Sequence, residues 1–415
     1  KALNVKPATV MATFGVRRSK VARYDAGPNA KFEQRPGPPP AQSSSSFLIQ
    51  HRFLTLPAMM DCDFLLVGHG IAGATLAYVL RERGHRVLVY DPGQANSASN
   101  VAAGLMNPVA GKRFALSWRA AELLPTAAAF YRTLEQHYGQ PFFTEAPIFK
   151  IFSSTEEQNA VLARSADQPW GDFVASLTTT DPHLPGVHAP FGGAWLQHGG
   201  HVAVRQLLAA LTAEGTRDGW LRPEAFDWTQ VQFDAAGATY AGQVRAGHVV
   251  CCEGAAAVSN PYFSWLPLTP NQGEVLDVDC PGLSPAQVLN RGAYVVPVGG
   301  GRFRVGATYR WPPFAPGITA VAREELAARL TVVTDQLFTV VEQRAGVRPA
   351  VRDRRPLIGP HPTVPGLSFC GGYGSKGVML APRLATLLAD WLMGKAEIWP
   401  EASVQRYKAL QPAHL

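Results

Sequence analysis

The chain has 415 residues, 47% hydrophobic and 17% charged, enough to bury a large core and to build two domains. Its formal charge of +7 is misleading, because residues 1–59 hold nine of the 38 Lys/Arg and only two of the 31 Asp/Glu, leaving 29 of each in the rest. The folded part therefore lacks the global basic footprint of a nucleic-acid binder. Five cysteines (Cys62, Cys251, Cys252, Cys280, Cys370) form no C-x-x-C pair and are odd in number; Cys251 and Cys252, in an apolar run, read as reduced core thiols, which suits a reducing cytoplasm. The one long apolar stretch, Phe64 to Leu80, is broken by Gly68, His69, Gly70 and Gly73, so no membrane span is expected.

Residues 1–59, rich in Pro, Ser, Gly and Arg, have no helical or strand period and read as a disordered leader. An upstream extension is the favoured reading of this leader, ahead of an organelle transit peptide, since it lacks an amphipathic helix. A short buried strand, Phe64 to Val67, comes next. Gly68, Gly70 and Gly73 then make a G-x-G-x-x-G turn into a helix that runs toward Gly84, and a second strand, Arg86 to Tyr90, ends at Asp91, 23 residues after Gly68. Each part has a physical task in holding a dinucleotide. Gly68 makes the tight turn, Gly70 admits a pyrophosphate to the backbone, and Gly73 lets helix pack on strand. The first helical residues, Ile71 and Ala72, offer free amides to the anion, and Asp91 can accept from a ribose hydroxyl.

Small residues follow, Ser97 to Pro108, with Ser99, Ala103 and Gly104 placed to let the backbone pass close to a ligand. A helix is expected over 116–139, then strands and loops over 140–195, and a helix from Val204 to Glu214. Val231, Phe233 and the run Val244 to Cys252 read as strands. Glu274–Val278, Ala293–Val298 and Phe303–Thr308 read as an antiparallel meander, followed by a long helix from about Ala320 to Leu337. The last unit is a strand, the turn Gly371-Gly-Tyr-Gly-Ser-Lys-Gly377, and a helix from Val378 to Met393 ended by Gly394. Parallel-sheet elements at both ends of the chain suggest an α/β architecture. In it a discontinuous Rossmann-like cofactor domain (60–110, 196–258, 345–405) surrounds an inserted α+β domain with an antiparallel sheet (111–195, 259–344).

Several features read more plainly. His198-Gly-Gly-His201 lacks a third ligand nearby and is taken as a polar turn, so no metal is expected. Of Arg348, Arg352, Arg354 and Arg355, one is expected to face a site and three to lie on a solvated or ion-paired stretch. Lys112 and Arg113 suit either the mouth of a site or a surface loop. Trp195, Trp265 and Trp311 read as packing, with Trp311 near enough to Thr308 to line a cavity.

Taken in order, these pieces resemble the D-amino-acid oxidase family of flavoproteins, with glycine oxidases as the nearest branch. The residues that carry the likeness are the Gly68 turn with Asp91, then Ala102-Ala103-Gly104, Gln272-Gly273-Glu274-Val275, Tyr294-Val-Val-Pro297 and Gly306-Ala307-Thr308. Further on come Ala345-Gly346-Val347-Arg348-Pro349 with Asp353, Pro356-Leu-Ile-Gly359, and Gly377-Val-Met-Leu-Ala-Pro382. The resemblance implies non-covalent FAD and oxidation of the carbon beside an amine. It implies that Arg348 pairs with a substrate carboxylate and that Tyr294 helps hold it. Gly346 and the turn Gly374, Ser375, Lys376, Gly377 and Val378 would lie at the flavin, where helix-start amides favour the negative charge of a reduced ring. Lys376 would add a charge there or approach substrate, unless it is a solvated lysine at a helix start.

The sequence departs from glycine oxidases where they carry a second arginine, a position filled here by Ser375. The Gly-Ser-Lys-Gly form looks more like the flavin domain of a bifunctional tRNA-modifying enzyme. A small amino-acid-like substrate is expected, with a carboxymethylaminomethyl-uridine in tRNA as the alternative. An NAD-dependent dehydrogenase or a non-catalytic dinucleotide-binding protein are the other readings of the first motif.

Overall fold

A computed structural model describes residues 59–110, 114–165 and 170–412, all within one unit, Leu56–Leu415. Residues 1–58, read above as a leader, and Lys112 and Arg113 lie outside the described residues. Seven α-helices occur among those described: α1 Ile71–Glu82, α2 Ala98–Val101, α3 Ala120–Tyr138, α4 Thr155–Ser165, α5 Val204–Arg217, α6 Ala320–Thr331 and α7 Gly377–Leu392. None of them is long and apolar enough to cross a membrane.

The first of two eight-stranded sheets is built around Met60–Val67. This apolar strand is flanked in parallel by Val87–Tyr90 and Val244–Cys251, with Leu221–Arg222 parallel beyond Val87–Tyr90. Strand Val244–Cys251 forks. Its first half pairs with the hairpin Val231–Asp234/Gly237–Tyr240, and its second half runs parallel to Leu367–Gly371. Val67 lies beside both Tyr90 and Cys251, so the carboxyl ends of the parallel strands share one edge, where open α/β sheets bind ligands. Alternation along Met60–Val67 divides the core. Phe64 and Leu66 face the cluster that holds α1, α3, α5 and α7, while Leu65 and Val67 face the opposite layer. Leu66, Leu76 and Leu80 are fully buried there, each contributing about 1.5–3 kcal/mol.

The second sheet has the spatial order 339–348, 271–279, 302–306, 293–299, 288–291, 148–151, 193–196, 174–178. Here the meander expectation is corrected. Strand Asn271–Asp279 pairs with Arg302–Gly306 and Thr339–Arg348, not with Ala293–Gly299. The chain crosses from Asp279 to an unexpected strand, Val288–Arg291, and returns through two hairpins. Gly and Pro turns mark where strands end but not which strands pair. Helix α4 also falls in a region read as strands and loops, because only Val161 of its apolar residues is buried and no stripe is visible. Helix α6 ends at Thr331, six residues early, where Thr331-Val-Val-Thr334 brings a β-branched run.

A three-stranded sheet, Leu105–Met106, Gly200–Val202 and Phe143–Glu145, ties the segment after Asp91 to the middle of the chain. Gly200 and His201 belong to this sheet, so the His198 to His201 stretch is part turn and part strand.

Candidate active site

A cavity of about 740 Å³ runs along the carboxyl edge of the first sheet, from Asp91 to Arg348 on the second. At one end the glycine turn is closed by contacts that leave no room for side chains. Gly68 has φ +104°, and a Cβ there would meet the Cys252 carbonyl oxygen at 2.5 Å. A Cβ on Gly73 would lie 1.9 Å from the Gly68 carbonyl oxygen. Gly70 differs, since only Ser99 Oγ, at 3.2 Å, approaches its open side. Asp91 is fixed by backbone amides, His69 N–H donating to one carboxylate oxygen and Gly93 N–H to the other. Each oxygen keeps lone pairs toward the cavity.

Ser99 lies against this turn, its Oγ accepting from Ile71 N–H at 3.0 Å. The hydroxyl occupies the first amide of α1 and leaves that of Ala72, which lines the cavity with no protein partner among the described residues. Ala103 and Gly104 form the next wall. Gly104 has φ +69°, and its missing Cβ would strike the Val202 carbonyl oxygen at 1.9 Å. Gly346 admits the segment before α2, where its Cβ would meet Asn96 O at 3.1 Å.

Helix α7 brings a second N-terminus to the cavity. Gly374, Ser375, Gly377 and Val378 line it, and a Cβ on Gly377 would meet Ile71 Cγ2 at 2.9 Å, so the starts of α1 and α7 converge. Buried Tyr131 of α3 pins this start by donating to the Val378 carbonyl at 2.7 Å. Lys376 is the N-cap of α7; its half-buried side chain lies near Arg355 and Arg354, beside the lining residues Ser375 and Gly377. Burial, then those guanidiniums, hold its ammonium below the usual lysine range.

At the far end Arg348 closes the strand Thr339–Arg348. Its guanidinium lies across Gly273, where a Cβ would fall 2.0 Å from Nη2. Nη1 donates to Asn271 Oδ1 at 2.9 Å and to the Thr308 carbonyl at 3.3 Å, and Cζ sits 4.4 Å from the Tyr309 ring centre. All these partners are neutral, and among the described residues Arg348 forms no ion pair within 4.0 Å. Tyr294 enters the same end from strand Ala293–Gly299, its hydroxyl 2.6 Å from where a Gly306 Cβ would sit. Burial pushes that hydroxyl up to about 12.

Tyr309, Gly273 and Asn271 were not singled out from sequence for this site. A glycine inside a strand, as Gly273 is, signals close approach of another group and could have found it. Trp311 is corrected: it is 61% exposed and neither packs in the core nor lines the cavity, whereas Tyr309 does the latter. Trp195 packs on Phe149 and Trp265 is buried. Arg352 and Arg354 are exposed, and Arg355 lies over Trp118. No group of three potential metal ligands occurs among the described residues.

The lining fits a long dinucleotide with an anionic middle. An acid stands at one end, an open glycine and an unpaired amide follow, and two helix N-termini bring positive dipole ends together.

Comparison with known proteins agrees with this chemistry. Residues 63–391 match the DAO family model, described as FAD dependent oxidoreductase. The chain is 28% identical over 352 residues to the glycine oxidase of Geobacillus kaustophilus (strain HTA426), covering 79% of this chain and 92% of that one. It is also 28% identical over 374 residues to the tRNA 5-methylaminomethyl-2-thiouridine biosynthesis bifunctional protein MnmC of Azoarcus sp. (strain BH72), 82% of this chain but 58% of that one. The crystal structure of the Geobacillus kaustophilus glycine oxidase superposes with a TM-score of 0.69 at 25% identity, covering 82% of this chain and 96% of that chain. The match over most of its length places this chain in the DAO family of FAD-dependent oxidoreductases.

Proposed function

We propose that this oxidoreductase oxidises the C–N bond of a small amino acid or related amine-bearing carboxylate. The observation that carries this reading is Arg348, a guanidinium facing the cavity with only neutral partners. A planar cation held this way matches a carboxylate with two parallel hydrogen bonds and stays charged at any working pH. The likeness to a glycine oxidase over most of both chains points the same way.

In this reading Gly68, Gly70, Ile71, Ala72, Gly73, Asp91 and Ser99 hold the ADP half of non-covalent FAD. Ala103, Gly104, Gly346, Gly374, Ser375, Gly377 and Val378 hold the flavin end. FAD, when bound, supplies the hydride acceptor. Arg348 fixes the substrate carboxylate and with it the direction of the Cα–H bond. The Tyr294 hydroxyl stays protonated well past neutral pH, so it donates a further hydrogen bond to that carboxylate. Its hydroxyl has no protein partner among the described residues and is free to do so. The cofactor-holding segments are 60–110, 196–258 and 345–405, with 111–195 and 259–344 shaping the substrate end.

The test is an absorption spectrum of the purified protein followed by anaerobic titration with glycine, sarcosine and D-amino acids. Flavin bands that bleach with one of them are expected. A yellow protein that none bleaches would sink the small-substrate reading and favour a carboxymethylaminomethyl-uridine in RNA, the substrate class suggested by the likeness to MnmC.

A further inference from the structure

Two of the five cysteines meet at the cavity. Strands Val244–Cys251 and Leu367–Gly371 run parallel with Cys251 opposite Phe369, and one residue further this register sets Cys252 beside Cys370. Side chains alternate between faces along a strand. Cys251 and Phe369 accordingly pack in the cluster on one side of the sheet, and Cys252 and Cys370 in the cluster on the other. Neighbouring strands lie about 4.8 Å apart, inside the Cα separation of roughly 4.4–6.8 Å that a disulfide accepts. Both side chains therefore project from adjacent strands into the same cluster and onto the same cavity wall. Cys370 Sγ also lies 3.1 Å from the Tyr373 hydroxyl. Cys252, Cys370 and Tyr373 all line the cavity next to Gly68 and Gly374. Cys251 instead faces Glu253 and Asn260.

We propose that Cys252 and Cys370 form a redox-active dithiol, closed to a disulfide beneath the dinucleotide turn by a hydroperoxide that enters through the cavity. The Cys370 sulfur attacks one peroxide oxygen and the O–O bond breaks. The sulfur keeps a hydroxyl as sulfenic acid, and the other oxygen leaves as water with the thiol proton. The Cys252 sulfur then attacks the sulfenic sulfur. The S–S bond forms, the S–O bond breaks, and the hydroxyl leaves as water with the Cys252 proton. Two thiols lose two electrons and two protons, and one hydrogen peroxide becomes two waters.

The order follows from the neighbours. The Tyr373 hydroxyl, 3.1 Å from the Cys370 sulfur, can donate to the thiolate, the nucleophilic form. Cys252 is buried in the apolar cluster, which favours its protonated form. Neither residue belongs to the substrate end, so the inference does not depend on which amine is oxidised.

The test treats the purified full-length holoprotein with hydrogen peroxide, with and without excess FAD, then alkylates it and maps peptides without reduction. The expected product is a peptide pair joining Cys252 to Cys370, reversed by dithiothreitol and missing in C370S and C252A. Excess FAD should slow its formation about tenfold, because rates of thiol oxidation follow access. A sulfinic acid on one cysteine alone, a bridge between any other pair, or two freely alkylated thiols would overturn the proposal. Unchanged kinetics under excess FAD would overturn the cavity as the route. Because peptide mapping of the unsubstituted protein decides the question, a variant that fails to fold does not obscure it.

Discussion

The two ends of the cavity are built in opposite ways. At the Asp91 end, apart from the Cys252 carbonyl against Gly68, the contributors lie between Gly68 and Ser99 in one continuous stretch of chain: Gly73 against Gly68, Ile71 on Ser99, His69 on Asp91. At the Arg348 end Gly273, Tyr294, Tyr309 and Arg348 come from positions spread over 75 residues, brought together by strand register. Asn271 pairs with Arg348, and Gly306 pairs with both Val275 and Tyr294. A local turn is fixed by backbone sterics, whereas an assembled site depends on a sheet folding in one register. Damage to the first end should cost cofactor and fold. Damage to the second should cost activity with the fold intact.

The largest effect expected is at the assembled end. Arg348→Ala should raise the substrate concentration needed for half-maximal flavin bleaching by about 10²–10³-fold, since losing one partner of a charged pair costs about 2–5 kcal/mol. Gly273→Ala should lower kcat/KM nearly as far, because the new Cβ would displace the end of a flexible guanidinium rather than backbone. The visible spectrum and urea midpoint of both variants should match the parent. A lower midpoint in either would break the comparison.

Gly73→Ala should do the reverse. Its Cβ would overlap the Gly68 carbonyl oxygen, a rigid backbone atom, and the expected loss is about 3 kcal/mol of stability or more. Gel filtration with flavin absorbance would detect it as poorly soluble or colourless protein. A yellow, stable Gly73→Ala protein would show that the turn has more freedom than these contacts allow.

A pH effect belongs to the local end as well. Burial holds His69 down to about 4, against an ordinary value near 6.5, although the Asp91 charge works in the other direction. The unfolded chain therefore binds a proton between these values that the folded chain refuses. The stability this imposes is full above about pH 6.5 and is lost as pH falls toward 4, on the order of 3 kcal/mol. His248, also held near 4 by burial, acts in the same sense. Urea midpoints at pH 7.5 and pH 5 should differ accordingly, and His69→Asn should flatten the slope. An unchanged slope in that variant would remove His69 from the account.

The smallest effect is expected from Asp91→Asn. The side chain keeps its shape but loses its charge and one acceptor for the His69 and Gly93 amides. FAD should bind about tenfold more weakly, near 1.5 kcal/mol, measured by fluorescence on dilution. Substrate affinity of the cofactor-saturated protein should stay the same, which sharpens the separation between the ends.

Much of this was legible before any coordinates. The strand–turn–helix of Phe64 to Glu82, the parallel partner ending at Asp91 and the C-terminal helix past Gly377 follow from apolar runs and glycine placement. Arg348 and Tyr294 came from resemblance, not from any local pattern, and the structure brings both to one cavity. Helix α4 was hidden because its polar surface leaves no stripe to read. Strand Val288–Arg291 was hidden because four residues carry too little alternation. For Lys376 the helix start fixes where the backbone amides point but not the side chain, so its direction was not legible in the sequence.

By itself the sequence determined the dinucleotide turn. Its constraints lie within one strand–turn–helix–strand unit: a positive φ at Gly68, a missing Cβ at Gly73, an acid at the end of the next strand. Only the tertiary structure decided the order of strands in the second sheet, the bed of Gly273 under Arg348, and the pairing of Cys252 with Cys370. Those contacts join residues 75 and 118 positions apart, and the energy that selects them comes from burying whole sheet faces. No local propensity encodes that choice, because each strand would be equally content beside another partner of the same alternation.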